Sequence, residues 1–274
     1  MLERERQSLI VKLVEERSFV SVAELLALLD VSEATIRPDI PSLADRGEVK
    51  RIRGGAQAIR TRHQVQLAGM PFSISWGVNA AQKRAIARAA AALIVAGESI
   101  LINGGTTTFA LTEFMIEHQV DVLTNSFPIA AALVTTSRNR VAVPGGAVFP
   151  EQNIILSPFQ DDSIANFWGR KLFTSCYAIN RLGLMEADPL IVQAQTKLLQ
   201  RAEEVVVMAD SSKLRQHSSM IVTSLDRISI LVTDNGATRK ELEVFANANV
   251  QVVLAEVTED DESFARVQRR TEVA

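Results

Sequence analysis

The stretch Ser99-Ile-Leu-Ile-Asn103-Gly104-Gly105-Thr106-Thr107-Thr108 carries the clearest chemical signal in the chain. Ile100 to Ile102 read as a buried strand entering a glycine turn, and the hydroxyl residues open what reads as a helix from Thr107 to Glu117. Such a turn suits an anion. Glycines let the backbone come close, the first N–H groups of a helix lack intrahelical partners, and threonines add donors. No Gly-Lys-Ser/Thr follows, so the stretch is not a Walker loop, and it is not G-x-G-x-x-G. The same residues also read as an ordinary strand-to-helix turn with a threonine cap.

The elements that must position this turn alternate from Asn79 onward. Helices over Asn79–Val95, Thr107–Glu117, Phe127–Thr135, Pro189–Arg201 and Thr238–Asn247 separate apolar strands. Those strands are Ser99–Ile102, Val120–Leu123, Arg140–Val143, Leu172–Ile179, Glu204–Met208, Ile228–Val232 and Val250–Leu254. Continuous apolar strands between helices imply a mostly parallel, doubly wound α/β sheet covered on both faces. Ligands of such sheets gather beyond the carboxyl ends of the strands. There the sequence delivers Asn103 to Thr108, then Thr124-Asn125-Ser126, then Gly145-Gly146, then Asp210-Ser211-Ser212-Lys213, and finally Thr233-Asp234. Hydroxyls, amides and one lysine at successive strand ends describe a pocket for a phosphorylated polyol.

Residues 1–62 follow a different pattern. Leu9, Ile10, Leu13 and Val14 form one face of a first helix ending near Arg17. Ser21 and Glu24 have the spacing of a capping box before a second helix bearing Val22, Leu25, Leu26 and Leu29. Ser32 reads as the cap of a third helix carrying Ile36, Ile40 and Leu43 and ending at Gly47. Two short strands around a Gly54-Gly55 turn then form a hairpin. Three helices and a hairpin outline a winged helix-turn-helix. From Arg46 to Arg62 there are six basic residues (Arg46, Lys50, Arg51, Arg53, Arg60, Arg62) against one acidic residue, Glu48, which places phosphate contacts on the hairpin.

Composition narrows the class. A chain of 274 residues holds one large domain or two modest ones. A net charge of −3 excludes a uniform polycation, so any DNA contact is local. The single cysteine, Cys176, excludes internal disulfides and multi-cysteine metal sites, and His63, His118 and His217 lack ligand spacing, so neither metal nor cofactor is expected. Glu3-Arg-Glu-Arg6 precedes any apolar run, and the longest apolar stretch, Ala85 to Ile102, is broken by Arg88, Gly97 and Glu98. The expectation is therefore a cytoplasmic protein with no membrane partner. The organisation expected is a winged unit at 1–62, a connection at 63–78, an α/β domain at 79–257 and a polar tail at 258–274.

The N-terminal pattern resembles a known family. Val20-x-Val22-x-x-Leu25, then Val31-Ser32-x-x-Thr35-Ile36-Arg37-x-Asp39-Ile40-x-x-Leu43-x-x-x-Gly47, and Arg53-Gly54-Gly55-Ala56 are similar to the signature of DeoR-type bacterial transcriptional regulators. That resemblance implies that Ser32, Thr35 and Arg37 face operator DNA, with Lys50, Arg51 and Arg53 on the wing beside phosphates. Lys83-Arg-x-Ile86-Ala87, Gly104 to Thr108, Thr124-Asn-Ser126, Gly145-Gly146, Asp210 to Lys213 and Thr233-Asp234 resemble the same family's C-terminal sensor domain. It implies a fold similar to ribose-5-phosphate isomerase and a sugar-phosphate effector. Gly105, Thr106, Thr107 and Thr108 would hold the phosphate, and Asp210 with Lys213 the sugar end. Asn103, Gly104, Asn125, Ser126, Gly145, Gly146 and Ser212 complete the expected effector site, Asn103 standing where the family commonly carries Asp.

Pro38 and Pro41 depart from the family pattern. Inside the third helix they delete the hydrogen bonds to the Ala34 and Arg37 carbonyls, at about 3 kcal/mol each, and are expected to bend or end it. The leading expectation is a regulator, in this family most often a repressor of a carbohydrate catabolic operon, acting as a homo-oligomer. The alternatives are an isomerase-like enzyme at the same pocket and a sensor that has lost DNA binding. The enzyme has no obvious base, since an Asp opening a Ser-Ser-Lys turn is more often a cap, so no catalytic residue is assigned.

Overall fold

The computed structural model describes residues 3–17, 19–29, 31–52, 54–58, 72–157 and 162–271. The chain divides into two compact units, residues 1–66 with 270–274, and residues 67–269.

The first unit runs α1 (Glu3–Arg17), β1 (Phe19–Ser21), α2 (Val22–Leu29), α3 (Glu33–Asp45), β2 (Val49–Ile52) and β3 (Gly55–Ala58). Ile10 and Val14, Leu25 and Leu29, and Ile36, Ile40 and Leu43 give the three helices a common core with Val20, Val49 and Ala56. The Ser21–Glu24 capping box forms: the Glu24 N–H donates to Ser21 Oγ at 3.2 Å, and the Ser21 N–H to Glu24 Oε2 at 2.8 Å. Ser32 occupies the cap position of α3, but its hydroxyl meets Thr35 Oγ1 at 2.8 Å instead of a backbone N–H. β1, which the sequence did not mark, pairs antiparallel with β3, giving the order β1-β3-β2. Ile52 pairs with Gly55, so Gly55 belongs to β3 and not to the turn; Arg53 lies outside the described residues.

α3 continues through both prolines. The carbonyls they orphan belong to Ala34 and Arg37, both on the exposed side where water can serve them, while Ile36, Ile40 and Leu43 hold the opposite side in the core. Tertiary packing outweighs the local cost. A second anchor is Asp39, only 2% exposed, which accepts from Arg6 Nε at 2.5 Å, Arg6 Nη2 at 3.2 Å and Gln7 Nε2 at 2.9 Å.

The second unit contains α4 (Phe72–Gly77), α5 (Ala80–Ala91), β4 (Ser99–Ile102), α6 (Thr106–Ala110), β5 (Asp121–Thr124), α7 (Phe127–Thr136), β6 (Arg140–Ala142), β7 (Ala147–Phe149) and β8 (Ile154–Leu156). It continues with β9 (Gly169–Thr174), β10 (Ala178–Asn180), β11 (Gly183–Glu186), α8 (Pro189–Leu199), β12 (Ala202–Met208), β13 (Met220–Thr223), β14 (Ile230–Asp234), α9 (Arg239–Asn247), β15 (Gln251–Ala255) and α10 (Glu259–Thr271). Seven strands form one all-parallel sheet in the order β15-β14-β12-β9-β4-β5-β6. Alternate residues feed two cores on its two faces: Ile100, Ile102, Phe173 and Val206 on one, Leu101, Leu172, Val205 and Val207 on the other.

One element differs from the sequence reading, and two others that it held loosely are fixed by packing. The apolar run Leu172–Ile179 divides between β9 and β10, the latter joining a small antiparallel sheet, β10-β11-β13. Apolar periodicity carries no mark of that exit. Within the expected connection, Phe72 and Trp76 of α4 pack edge-on against Phe109, with ring centroids 5.6 and 4.8 Å away. The polar tail holds a capped helix: Thr258 bonds Asp261, whose fully buried carboxylate accepts from Arg84 and Arg88 at 2.8 Å each. Burial opposes its charge, but Arg88 and Thr258 together hold it below the usual carboxylate range.

Candidate functional site

The strand order sets the place of the site. From β4 the chain winds one way through β5 and β6, then returns on the other side of β4 through β9, β12, β14 and β15. The direction therefore reverses between β4 and β9, and ligands of such sheets gather at the carboxyl ends of the strands flanking the reversal. Asn103 follows β4 and Thr174 ends β9, and they meet there: Asn103 Nδ2 donates to Thr174 Oγ1 at 3.1 Å.

A polar network grows from that contact. Asn125 Nδ2 donates to Asn103 Oδ1 at 3.0 Å, and the Gly104 N–H donates to Asn125 Oδ1 at 2.8 Å. Thr108, with no exposed surface, turns its hydroxyl onto the Asn103 and Gly105 carbonyls at 2.7 and 3.0 Å. Ser126 caps α7 by accepting from the Ile129 N–H. These groups shape the turn. The backbone N–H groups of Thr106 and Thr107 remain without an acceptor among the described residues, as helix geometry requires. Both threonine side chains are buried at the turn.

Close packing explains the two glycines. A Cβ on Gly104 would lie 2.2 Å from Ile154 Cγ2, and one on Gly105 would lie 2.0 Å from Ser175 Oγ. Gly145 and Gly146 are exposed at the entry to the β7–β8 hairpin, where Gly146 lies against the Leu156 carbonyl. That hairpin packs on the turn directly, with Ile154 of β8 against Gly104, and the Ile155 N–H donates to the Asn125 carbonyl at 2.7 Å.

Asp210, Ser212 and Lys213 follow β12. Asp210 is 2% exposed and accepts from Asn79 Nδ2 at 3.0 Å, from the Ser212 N–H at 3.1 Å and from the Ser212 hydroxyl. Asp234 fixes this loop from β14 by accepting from the Ser211 N–H at 2.6 Å and the Gly236 N–H at 2.9 Å. Lys213 lies over the Tyr177 ring, 5.7 Å from its centroid, and donates to Gln216 Oε1 at 3.4 Å.

Residues the sequence reading did not assign join the two loops. Ser75 Oγ is 3.2 Å from Thr106 Oγ1, while the buried Lys83 ammonium donates to the Ser75 carbonyl. Asn79 reaches Asp210, so the segment from α4 to α5 arches from the end of β4 to the end of β12. Lys83 is thus an interior group and not a solvated one. The four-residue spacing of Asn79 and Lys83, which places both over one side of the helix start, was the available signal. Gln195 of α8 donates through Nε2 to Thr174 Oγ1 at 2.6 Å and to the Ser175 carbonyl at 2.9 Å. Burial pushes the Glu186 carboxyl up to about 8, against the pull of the Lys213 ammonium and the Ala187 and Tyr177 N–H groups. Burial likewise raises the Cys176 thiol.

In the winged unit, Ser32, Arg37, Lys50 and Arg51 are exposed and Thr35 is half-buried. Arg37 is held by Glu33 one turn earlier at 2.9 Å, with Pro38 beside it on the same exposed side. Lys50 and Arg51 are adjacent on β2, so they project to opposite sides of the wing. Among the described residues, no group of three or more His, Cys, Asp or Glu side chains could hold a metal ion, and no helix is long and apolar enough to cross a membrane.

Two family descriptions match the chain, a DeoR-like helix-turn-helix domain at residues 6–62 and a DeoR C terminal sensor domain at residues 78–235. The chain belongs to the DeoR family of transcriptional regulators. It is 32% identical over 253 residues to the HTH-type transcriptional regulator UlaR of Shigella dysenteriae serotype 1 (strain Sd197), covering 92% of this chain and 99% of the relative. UlaR of Escherichia coli (strain SMS-3-5 / SECEC) matches with the same identity and coverage. A ribose 5-phosphate isomerase A from Methanocaldococcus jannaschii superposes with a TM-score of 0.37 and 17% identity over 48% of this chain and 52% of that one. A superposition that loose carries no weight for activity. As a DeoR-family member, the chain is a DNA-binding transcriptional regulator and not an enzyme.

Proposed function

We propose that this DeoR-family regulator controls a carbohydrate catabolic operon, most simply as a repressor that a phosphorylated sugar releases from operator DNA. In this reading residues 1–62 bind the operator, 79–257 hold the effector, and the chain works as a cytoplasmic homo-oligomer. The observation that carries it is the turn at the β4–β9 reversal. The unmatched N–H groups of Thr106 and Thr107 and the interior Lys83 together favour a phosphate over any neutral group there. Asn103, Gly104, Thr108, Asn125 and Ser126 hold that turn in shape, and Gly105 lets the ligand and Ser175 approach. Asp210, Ser212 and Lys213 take the sugar end, with Gly145 and Gly146 at the outer edge. Effector binding acts on DNA by stabilising one sensor conformation over another.

Thermal unfolding with a panel of sugar phosphates tests the sensor. A ligand present at a hundred times its Kd stabilises by about 2.7 kcal/mol, which raises Tm by several degrees. At least one sugar phosphate is expected to exceed inorganic phosphate in this shift. No shift with any member sinks the sensor reading.

On the DNA side, Ser32, Thr35 and Arg37 read bases while Lys50, Arg51 and Arg53 meet phosphates. Pro38 takes an exposed position on the recognition helix where an arginine could grip guanine or phosphate, and we expect operator affinity to be correspondingly reduced. The double reversion Pro38→Arg with Pro41→Asn should tighten binding by about 1–3 kcal/mol, or roughly 5- to 150-fold, in a gel shift. Unchanged binding would refute this.

A further inference from the structure

A cleft of about 470 Å³ lies between the β10–β11 turn and α9. Its volume falls within the roughly 300–1,000 Å³ of small-molecule sites, and no residue from Asn103 to Thr108 lines it. Leu214, Val244 and Phe245 form its apolar floor. Two guanidinium groups stand beside that floor in different states. Arg215 is fixed: its Nε and Nη2 donate to Glu241 Oε1 and Oε2 at 2.7 and 3.1 Å, and Nη2 also donates to the Gly236 carbonyl at 2.9 Å. Glu241 accepts in addition from the Thr238 N–H and hydroxyl at 2.8 and 2.7 Å, so its charge is matched where it stands. Arg181 is exposed and meets no acceptor among the described residues. The turn that carries it is nonetheless held in shape. Asn180 Oδ1 accepts from the Leu182 N–H at 2.9 Å, and Gly183 lies against the Thr223 carbonyl. Arg215 and Glu241 cancel, and Arg181 remains as an uncompensated charge beside an apolar floor.

A neutral apolar molecule in this cleft would leave Arg181 unmatched, and an inorganic anion would leave Leu214, Val244 and Phe245 wet. A molecule with both parts uses the whole lining. We infer that the cleft is a second ligand site of this chain, for a small monoanion with an apolar body, such as an aromatic carboxylate or sulfonate. The anionic head pairs with the Arg181 guanidinium while the body covers Leu214, Val244 and Phe245. Arg215 Nη1, which makes no bond among the described residues, is a further donor on a guanidinium already held in place. The cleft also adjoins the loop after β12. Gln216 on its lining accepts from Lys213 Nζ at 3.4 Å, and Lys213 in turn lies over the Tyr177 ring. The site stands independently of the phosphate turn at the end of β4.

Fluorescence titration of the full chain with anilinonaphthalene sulfonate, an aromatic body bearing one anionic group, tests it. The wild type should show a saturable site, and the neutral relative phenylnaphthylamine should bind at least about tenfold more weakly. Arg181→Gln alters an exposed side chain that makes no bond among the described residues, so the fold is kept, and affinity for the sulfonate should fall about tenfold. Val244→Trp fills the cleft and should abolish the saturable signal; if that variant does not fold, Arg181→Gln decides the matter. Phe127→Ser, on an exposed apolar residue of α7, should leave the signal unchanged. Absence of saturable binding by the wild type, full affinity in Arg181→Gln, or equal affinity for phenylnaphthylamine would each overturn the inference. So would loss of the signal in Phe127→Ser, which would place the probe on α7. Loss of an oligomer in Arg181→Gln by sedimentation would overturn it too, because the cleft would then seat a second copy of the chain.

Discussion

Replacing Asp39 with alanine is expected to unfold the N-terminal unit while the sensor unit stays folded. Asp39 is the carboxylate on which Arg6 and Gln7 of α1 converge from α3, and all three are nearly buried. Removing one partner of a buried ion pair costs about 3–5 kcal/mol, because the remaining charge keeps its desolvation penalty. A core of some sixty residues rarely supplies more than about 3–5 kcal/mol in total. The loss is therefore comparable with the whole stability of the unit. Hydrogen exchange should show α1 to α3 unprotected in Asp39→Ala and β4, β9 and β12 unchanged. Asp39→Asn, which still accepts one bond, should fall between. Native protection of α3 in Asp39→Ala would mean that the helix packing alone is sufficient.

The second large effect is at Gly105. An added Cβ meets Ser175 Oγ at 2.0 Å and Ser175 Cβ at 3.2 Å, so the Ser175 hydroxyl must rotate away and the turn or the Ser175 segment must give by a few tenths of an ångström. Overpacking of this kind costs about 1–3 kcal/mol in stability. The functional cost is larger, because the N–H groups of Thr106 and Thr107 lose their common aim. Gly105→Ala should abolish measurable sugar-phosphate binding in calorimetry with only a modest fall in Tm. Adding Ser175→Ala removes the nearer contact and should restore part of the affinity. Wild-type binding by Gly105→Ala would move the phosphate seat elsewhere on the rim.

What could be read from the sequence was local. Ser99–Ile102 announces itself by a continuous apolar run that ends in Asn-Gly-Gly, and β4 has those same bounds. The Ser21–Glu24 box is short-range chemistry, and it forms as its spacing implies. What escaped depends on residues far apart in the chain. Asp39 finds Arg6 across 33 positions, and Asn79 finds Asp210 across 131, with no periodicity to signal either. β1 is three residues long and exists because β3 offers it an edge. The prolines in α3 mislead in the opposite direction, since their local cost is real but falls on exposed carbonyls. In the candidate site the glycine turn was visible from residue type, whereas Ser75 and Gln195 became visible only once the fold placed them beside Thr106 and Thr174.

The account joins a phosphate seat in one unit to operator binding in the other. Fluorescence anisotropy of this chain on a labelled operator fragment, titrated with the sugar phosphate that gives the largest thermal shift, tests that connection most directly. The account predicts that operator affinity falls at least fivefold as the wild-type seat fills, a coupling of about 1 kcal/mol or more, and that Gly105→Ala does not respond. Saturating effector that leaves operator affinity unchanged in the wild type would contradict it.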